Sequence, residues 1–235
     1  MFLETVAGFW FLGKDIAKYS NSWRFCEDHH DSWGSTLEAV TCLLDQKWTH
    51  LSGKPGAWPY MDFLMTGGKG CKPWSSGAHC PGQTDDEYKS EFAIWSIRQS
   101  PLIVDTDLTQ MTPIMKKSLL NEELIALHQN TDSAPGHLLN TMSCLDVFKC
   151  QIWGRKLSDD KWLVAMVNMT NKKRKVKLNF RDLGLKHDHK LVRDLWELKD
   201  LGKFKDSHEI ELPAHGSHII TVEHKKSEDA PALIQ

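Results

Sequence analysis

Hydrophobic spacing changes character along this chain. Over residues 35–44 apolar positions fall at Leu37, Val40, Leu43 and Leu44, the spacing of one helical face. Thr84, with Glu87 three positions later, is a capping-box signature and predicts a helix running through Arg98, with Phe92, Trp95 and Ile97 among its apolar positions. Thr112-Pro113 starts another helix through Leu120, and Asn121 one more through His128. Residues 23–26 read as a strand and the short apolar run 102–104 as a buried one; Asp28 follows the first, and Asp105 and Asp107 the second. Residues 1–14 read as an irregular lead-in, and 14–22 as a helix end running into a strand. Strands alternating with helices of this length predict a parallel sheet or barrel.

After Pro135-Gly136 the text becomes strand-like. Residues 151–155, 162–168 and 218–222 are apolar runs of strand length, and 175–180 alternates polar with apolar at period two. The expected fold class is therefore α/β followed by all-β. Residues 1–140 form the α/β part, 145–223 a small antiparallel β-sandwich, and 224–235 a disordered tail.

Composition narrows the function classes. The 29 basic and 31 acidic residues nearly cancel, which leaves no nucleic-acid footprint. No apolar run approaches the roughly 18 residues of a membrane span. Residues 1–14 lack a basic leader and include Glu4, so they do not read as a secretory signal. Ten tryptophans against three tyrosines fit sugar stacking as well as core packing. Six cysteines allow fifteen full pairings. Cys71 with Cys80 and Cys144 with Cys150 bracket short loops, which suggests disulfides and an oxidising compartment. The triplet Asn168-Met169-Thr170 is a glycosylation sequon that points the same way. The glycines of residues 66–71 lack a following Gly-Lys-Ser/Thr, so a mobile or disulfide-tied loop is expected there, not a phosphate cradle. Neither His29-His30-Asp31 nor His187-Asp188-His189 can chelate alone, because adjacent strand residues point to opposite faces; no metal and no cofactor is expected.

The stretch from Trp23 to Trp33 packs Arg24, Glu27, Asp28, His29, His30 and Asp31 between tryptophans. Trp-Arg, then Asp four residues after the arginine, then Asp-Ser-Trp, resembles the α-galactosidase/α-N-acetylgalactosaminidase family of retaining glycoside hydrolases. Gly56-Ala57-Trp58-Pro59-Tyr60-Met61-Asp62-Phe63-Leu64 looks like that family's next strand end. The run Ala93-Ile94-Trp95-Ser96-Ile97 through Val104 resembles the helix and final barrel strand that follow. Arg193-Asp194-Leu195-Trp196 and Pro213-Ala214-His215-Gly216-Ser217 resemble its carboxy-terminal domain. The resemblance covers the back half of such an enzyme.

It implies the last three βα units of a (β/α)8 barrel, with Asp28 as general acid/base and Arg24, Asp62 and Phe63 binding the sugar. Where family members commonly carry Asn-Asp before the pocket acid, this chain has Pro59-Tyr60-Met61, and Ser20 stands where many have a cysteine. Asp105 and Asp107 map as structural. Retaining enzymes need two carboxyl groups about 5–5.5 Å apart. The family's nucleophile, an aspartate in a Lys-x-Asp context, lies upstream of the Trp-Arg motif and is missing from the 22 residues before Trp23. The chain therefore reads as a truncated gene model, splice product or fragment, inactive alone. The resemblance further implies an α-galactoside oligosaccharide or glycoconjugate as substrate, a possible homodimer at full length, and a secreted or lysosomal setting. A non-catalytic carbohydrate- or partner-binding protein of the same fold is the alternative.

Overall fold

A computed structural model describes residues 3–6, 15–44, 56–68, 82–139, 144–185 and 189–224. Three short strands, β1 (Glu4–Thr5), β2 (Ser22–Arg24) and β3 (Trp58–Tyr60), form a parallel sheet in the order β1-β2-β3. The lead-in is thus not wholly irregular: Glu4 pairs with Ser22 and Thr5 with Trp23. Two residues carry no pattern of their own, and this strand exists only because β2 offers it a ladder. The Tyr60 hydroxyl also donates to Glu4 Oε1 at 2.5 Å, tying β3 to β1 across the strand between them. The expected strand at 102–104 is reduced to one parallel bridge, Val104 with Leu64. The amides of Leu64 and Asp105 complete it, donating to Ile103 O and Leu64 O.

The connecting helices are α1 (Ile16–Tyr19), α2 (Trp33–Leu44), α3 (Asp85–Ile97), α4 (Pro113–Leu119) and α5 (Glu122–Gln129). Their starts follow local chemistry. Thr84 and Glu87 form a reciprocal capping box on α3, Thr112 caps α4 ahead of Pro113, and the Asn121 side chain accepts from Leu124 N on α5. Helix α3 is buried from Glu87 to Ile97 apart from Lys89, because apolar residues cover more than one of its faces.

The second part comprises β4 (His137–Leu138), β5 (Cys150–Ser158), β6 (Lys161–Asn168), β7 (Arg174–Asn179), β8 (Lys190–Asp194), β9 (Lys199–Phe204), β10 (Ser207–Leu212) and β11 (Ser217–Glu223). Six of these strands form an antiparallel sheet in the order β4-β5-β6-β11-β8-β9, and β10 pairs with β7 in a second, two-stranded sheet. Period-two alternation sorts β6 between two cores. Leu163, Ala165 and Val167 join the cluster around α3, while Val164 and Met166 join Val176, Leu178 and Leu212 between the two sheets. The first cluster runs from Trp23 and Trp95 into Trp153 and Ile219, so one continuous core joins the α/β part to the sandwich.

The link from α5 to β4 is closed by two buried arginines. Arg155 donates to the carbonyls of Leu127, Asn130, Ser133 and Ala134, and Arg98 to Gly136 O. Burial pulls both guanidinium groups down to about 10. The carbonyls near the α5 carboxyl end supply compensating negative charge.

Candidate active site

Strand β2 ends in Arg24, and Asp28 stands four residues on, past the strand end. Strand β3 leads to Asp62. The guanidinium joins the two acids: Nη2 donates to Asp28 Oδ1 at 2.5 Å and Nη1 to Asp62 Oδ2 at 2.8 Å. The ends differ in setting, since the Asp28 side chain is 70% exposed and that of Asp62 only 10%. Burial pulls Arg24 down, but the Asp62 and Asp28 carboxylates outweigh it and the net direction is up.

Asp62 takes a left-handed backbone, φ 81°. That conformation lets one residue make four contacts. Its Oδ2 accepts from Arg24 and from His29 N, its Oδ1 accepts from Phe63 N, and its carbonyl accepts from Trp95 Nε1 at 3.0 Å. Phe63 follows, half-buried, its ring stacked with Tyr60 at 6.4 Å. Burial, aided by the bond to Glu4, pushes the Tyr60 hydroxyl far above its usual range, so it is a neutral donor. All four residues expected from the sequence therefore lie on the ends of β2 and β3, Arg24, Asp28 and Asp62 directly bonded and Phe63 adjoining.

Behind them lies a buried polar layer that the sequence did not disclose. His29 Nδ1 donates to Phe63 O at 3.0 Å, and its ring lies 5.0 Å from that of Trp95. Glu91, fully buried on α3, accepts from Met65 N and Thr66 Oγ1, both at 2.8 Å. Burial raises its carboxyl to about 8 and lowers His29 to about 4. The 3.6 Å between Glu91 Oε1 and His29 Nδ1 is consequently a contact of neutral groups, the ring proton being spent on Phe63 O. Asp31 accepts from the Tyr88 hydroxyl and from Gln83 N. A charged residue directly before the apolar run Phe92-Ala93-Ile94-Trp95 was the available signal for Glu91; nothing local marked its partners.

The acid-bearing segment is also fastened covalently. Cys26 is bonded to Cys42 on α2, a pairing that the short-loop argument passed over; the expected Cys144–Cys150 disulfide is present, and Cys71 and Cys80 lie outside the described residues. A niche of about 130 Å³ between this disulfide and Asp28 is lined by Phe25, Glu27, Ser35 and Glu38 among others. It falls below the roughly 300 Å³ at which ligand pockets begin, so it is a gap behind the acid, not a sugar pocket. The sequon is also corrected. Asn168 is wholly buried, its amide donating to Lys172 O and Pro213 O and its Oδ1 accepting from Thr170, so no glycan fits on it in this fold. Among the described residues no three His, Cys, Asp or Glu side chains cluster as metal ligands, and no helix is long and apolar enough to cross a membrane. His187 and Asp188 lie outside the described residues.

Two carboxylates thus meet one guanidinium just past neighbouring parallel strands, and an antiparallel β-sandwich shares their core. Residues 12–130 match the family described as alpha galactosidase A, and residues 148–222 the alpha galactosidase C-terminal beta sandwich domain. The chain belongs to the alpha-galactosidase family. It is 30% identical to Alpha-galactosidase 3 of Arabidopsis thaliana, over 85% of this chain and 42% of that protein. It is also 30% identical to the Alpha-galactosidase of Cyamopsis tetragonoloba, over 75% of this chain and 38% of the relative. Among solved structures, a β-L-arabinopyranosidase from Geobacillus stearothermophilus superposes with a TM-score of 0.76 at 26% identity, covering 92% of this chain and 47% of its own. The chain spans less than half the length of these proteins.

Proposed function

We propose that this chain is the acid/base half of an α-galactosidase that hydrolyses terminal α-galactosyl residues with retention. Residues 1–140 are the last βα units of a (β/α)8 barrel and 145–223 its β-sandwich. The observation that carries the reading is the arginine clamp, which places the motif acids Asp28 and Asp62 on one guanidinium at adjacent strand ends. Asp28, the exposed acid, protonates the leaving glycosidic oxygen as a nucleophile bonds to the anomeric carbon. It then takes a proton from the water that cleaves the glycosyl-enzyme. Asp62 does not attack, because three N–H groups already hold its oxygens. It accepts from a sugar hydroxyl, with Arg24 and Phe63 forming the wall beside it.

The nucleophile comes from sequence outside these 235 residues, so the chain by itself turns nothing over. The substrate is an α-galactoside oligosaccharide or glycoconjugate, the longer protein is a homodimer, and the two disulfides suit a secreted or lysosomal setting. Assays on p-nitrophenyl α-galactoside and p-nitrophenyl β-L-arabinopyranoside test this. The 235-residue chain is expected to be silent on both. A version extended upstream through a Lys-x-Asp strand is expected to cleave the galactoside, with Asp28→Asn lowering kcat at least about 100-fold. Turnover by the short chain that Asp28→Asn abolishes would show that the nucleophile lies within it. The three donors on Asp62 also suit a purely sugar-binding protein; galactose binding by calorimetry, with no turnover in the extended version, selects that reading.

A further inference from the structure

The segment Pro213-Ala214-His215-Gly216, which resembles the family's carboxy-terminal domain, carries a histidine that lies against the α/β part. His215 sits in the turn between β10 and β11 with φ 57°, a left-handed conformation that histidine and asparagine tolerate better than most residues. Every side of the imidazole is engaged. Nδ1 lies 2.5 Å from Glu87 Oε1 on α3, Nε2 lies 2.7 Å from the Asn171 amide oxygen, and one ring face stacks on Trp33 at 4.7 Å and 17°. Its backbone is pinned as well: the His215 amide donates to Thr170 O, and Ser90 Oγ donates to His215 O. The buried Asn168 supports the same turn by donating to Pro213 O.

Trp33 opens α2 five residues after Asp28, at the end of the loop that carries the acid. The other side of that loop is held from α3 and the residue before its cap, through Asp31 to Tyr88 and Gln83 and through Thr36 to Gln83. Glu87 joins the two supports, since its Oε2 caps α3 through Thr84 N while its Oε1 holds His215.

We infer that His215, from the β-sandwich, is a positioning residue for the acid/base loop: its imidazole, fixed between Glu87 and Asn171, is the shelf on which Trp33 rests. The sandwich thereby completes the acid-bearing face of the α/β part, and the sequon residues Asn168 and Thr170 serve this strut. The catalytic significance rests on the reading of Asp28 given above; the mechanical claim does not.

Hydrogen–deuterium exchange on the 235-residue chain tests it, with galactose calorimetry as a second arm. His215→Asn keeps a side chain suited to the backbone and removes the shelf. It is expected to speed exchange over residues 29–36 about tenfold while residues 163–167 and 217–222 stay unchanged. Trp33→Leu should match it, and the double variant should add little to either single change, because both remove one contact. Unchanged exchange over 29–36, additive effects, or equal loss of protection across the sandwich each overturn the proposal. Should His215→Asn not fold, Glu87→Gln, which retains the capping box, is expected to give the same pattern at about threefold, and its absence counts equally against the shelf. Galactose should bind about tenfold more weakly to His215→Asn. If the unaltered chain binds no galactose, the sugar reading fails while exchange still decides the role of His215.

Discussion

Strands β6 and β2 both sit at the centre of their sheets, but they are held by different means. Strand β6 runs for eight residues between two antiparallel neighbours, β5 and β11, and its two faces feed two apolar cores. Strand β2 runs for three residues between parallel neighbours of two and three, and its surroundings are crowded with buried polar groups. Antiparallel strands joined by tight turns close their hydrogen bonds locally. The parallel part instead depends on side chains from α3 and on the sandwich sheet behind it. The buried polar groups around Asp62 and Glu91 are concentrated in the part with the shorter strands.

The largest expected effect tests that dependence. Trp95→Ala should cost roughly 3–5 kcal/mol in urea unfolding, as should Trp153→Ala, both indoles being fully buried. Only the former strips a donor from Asp62, so it alone should also weaken galactose binding. Equal effects of the two on binding would erase the contrast between the halves.

Acidification is the next test. Burial lowers His29 in the parallel part and His218 in the sandwich to about 4, against about 6.5 when unfolded. Between those values the unfolded chain binds more protons, so stability is full above pH 6.5 and falls as pH drops towards 4, by roughly 3 kcal/mol for His29 and in the same direction for His218. Glu91 works in the opposite sense: its raised carboxyl gives stability that is fully present below pH 4.5 and lost as pH rises towards 8. The two limbs overlap, and because two histidines outweigh one glutamate, urea midpoints at a series of pH values should peak near pH 6.5. Glu91→Gln should remove the alkaline limb, and His218→Phe should shorten the acid one.

Breaking the disulfides separates the halves again. Cys26–Cys42 spans 16 residues of sequence and Cys144–Cys150 only 6, so paired serine substitutions should cost about 3 and about 2 kcal/mol by loop-closure entropy. The former should also loosen the Asp28 loop in hydrogen exchange. Thr84→Ala has the smallest expected effect, about 1 kcal/mol from the α3 cap, with no change in the sandwich strands.

What the sequence disclosed follows the range of the forces. Caps act over three residues, so Thr84, Thr112 and Asn121 announced their helices. Alternation announced β7, and apolar runs announced β5, β6 and β11. Arg24 and Asp28 were legible because their spacing lies within one strand end and its loop. Strand β1 was not, and residues 102–104 read as a strand without showing that only Val104 would pair, with Leu64, because each pairing depends on a neighbour distant in sequence. The Asn168 triplet misled for the same reason: its three letters are a local signal, whereas its burial is decided by Pro213, 45 positions away. Glu91 shares that history, since it takes its meaning from His29, Met65 and Thr66, each distant in sequence.

The twisted backbone of Asp62 limits what this position can become. Asparagine and glycine accept the same dihedral angle without strain, so the peptide turn and the indole contact survive either replacement while the negative charge vanishes. Glutamate keeps the charge but resists the turn. At this corner of the molecule, backbone shape and side-chain charge are specified separately, so the turn can persist after the carboxylate that Arg24 holds is gone.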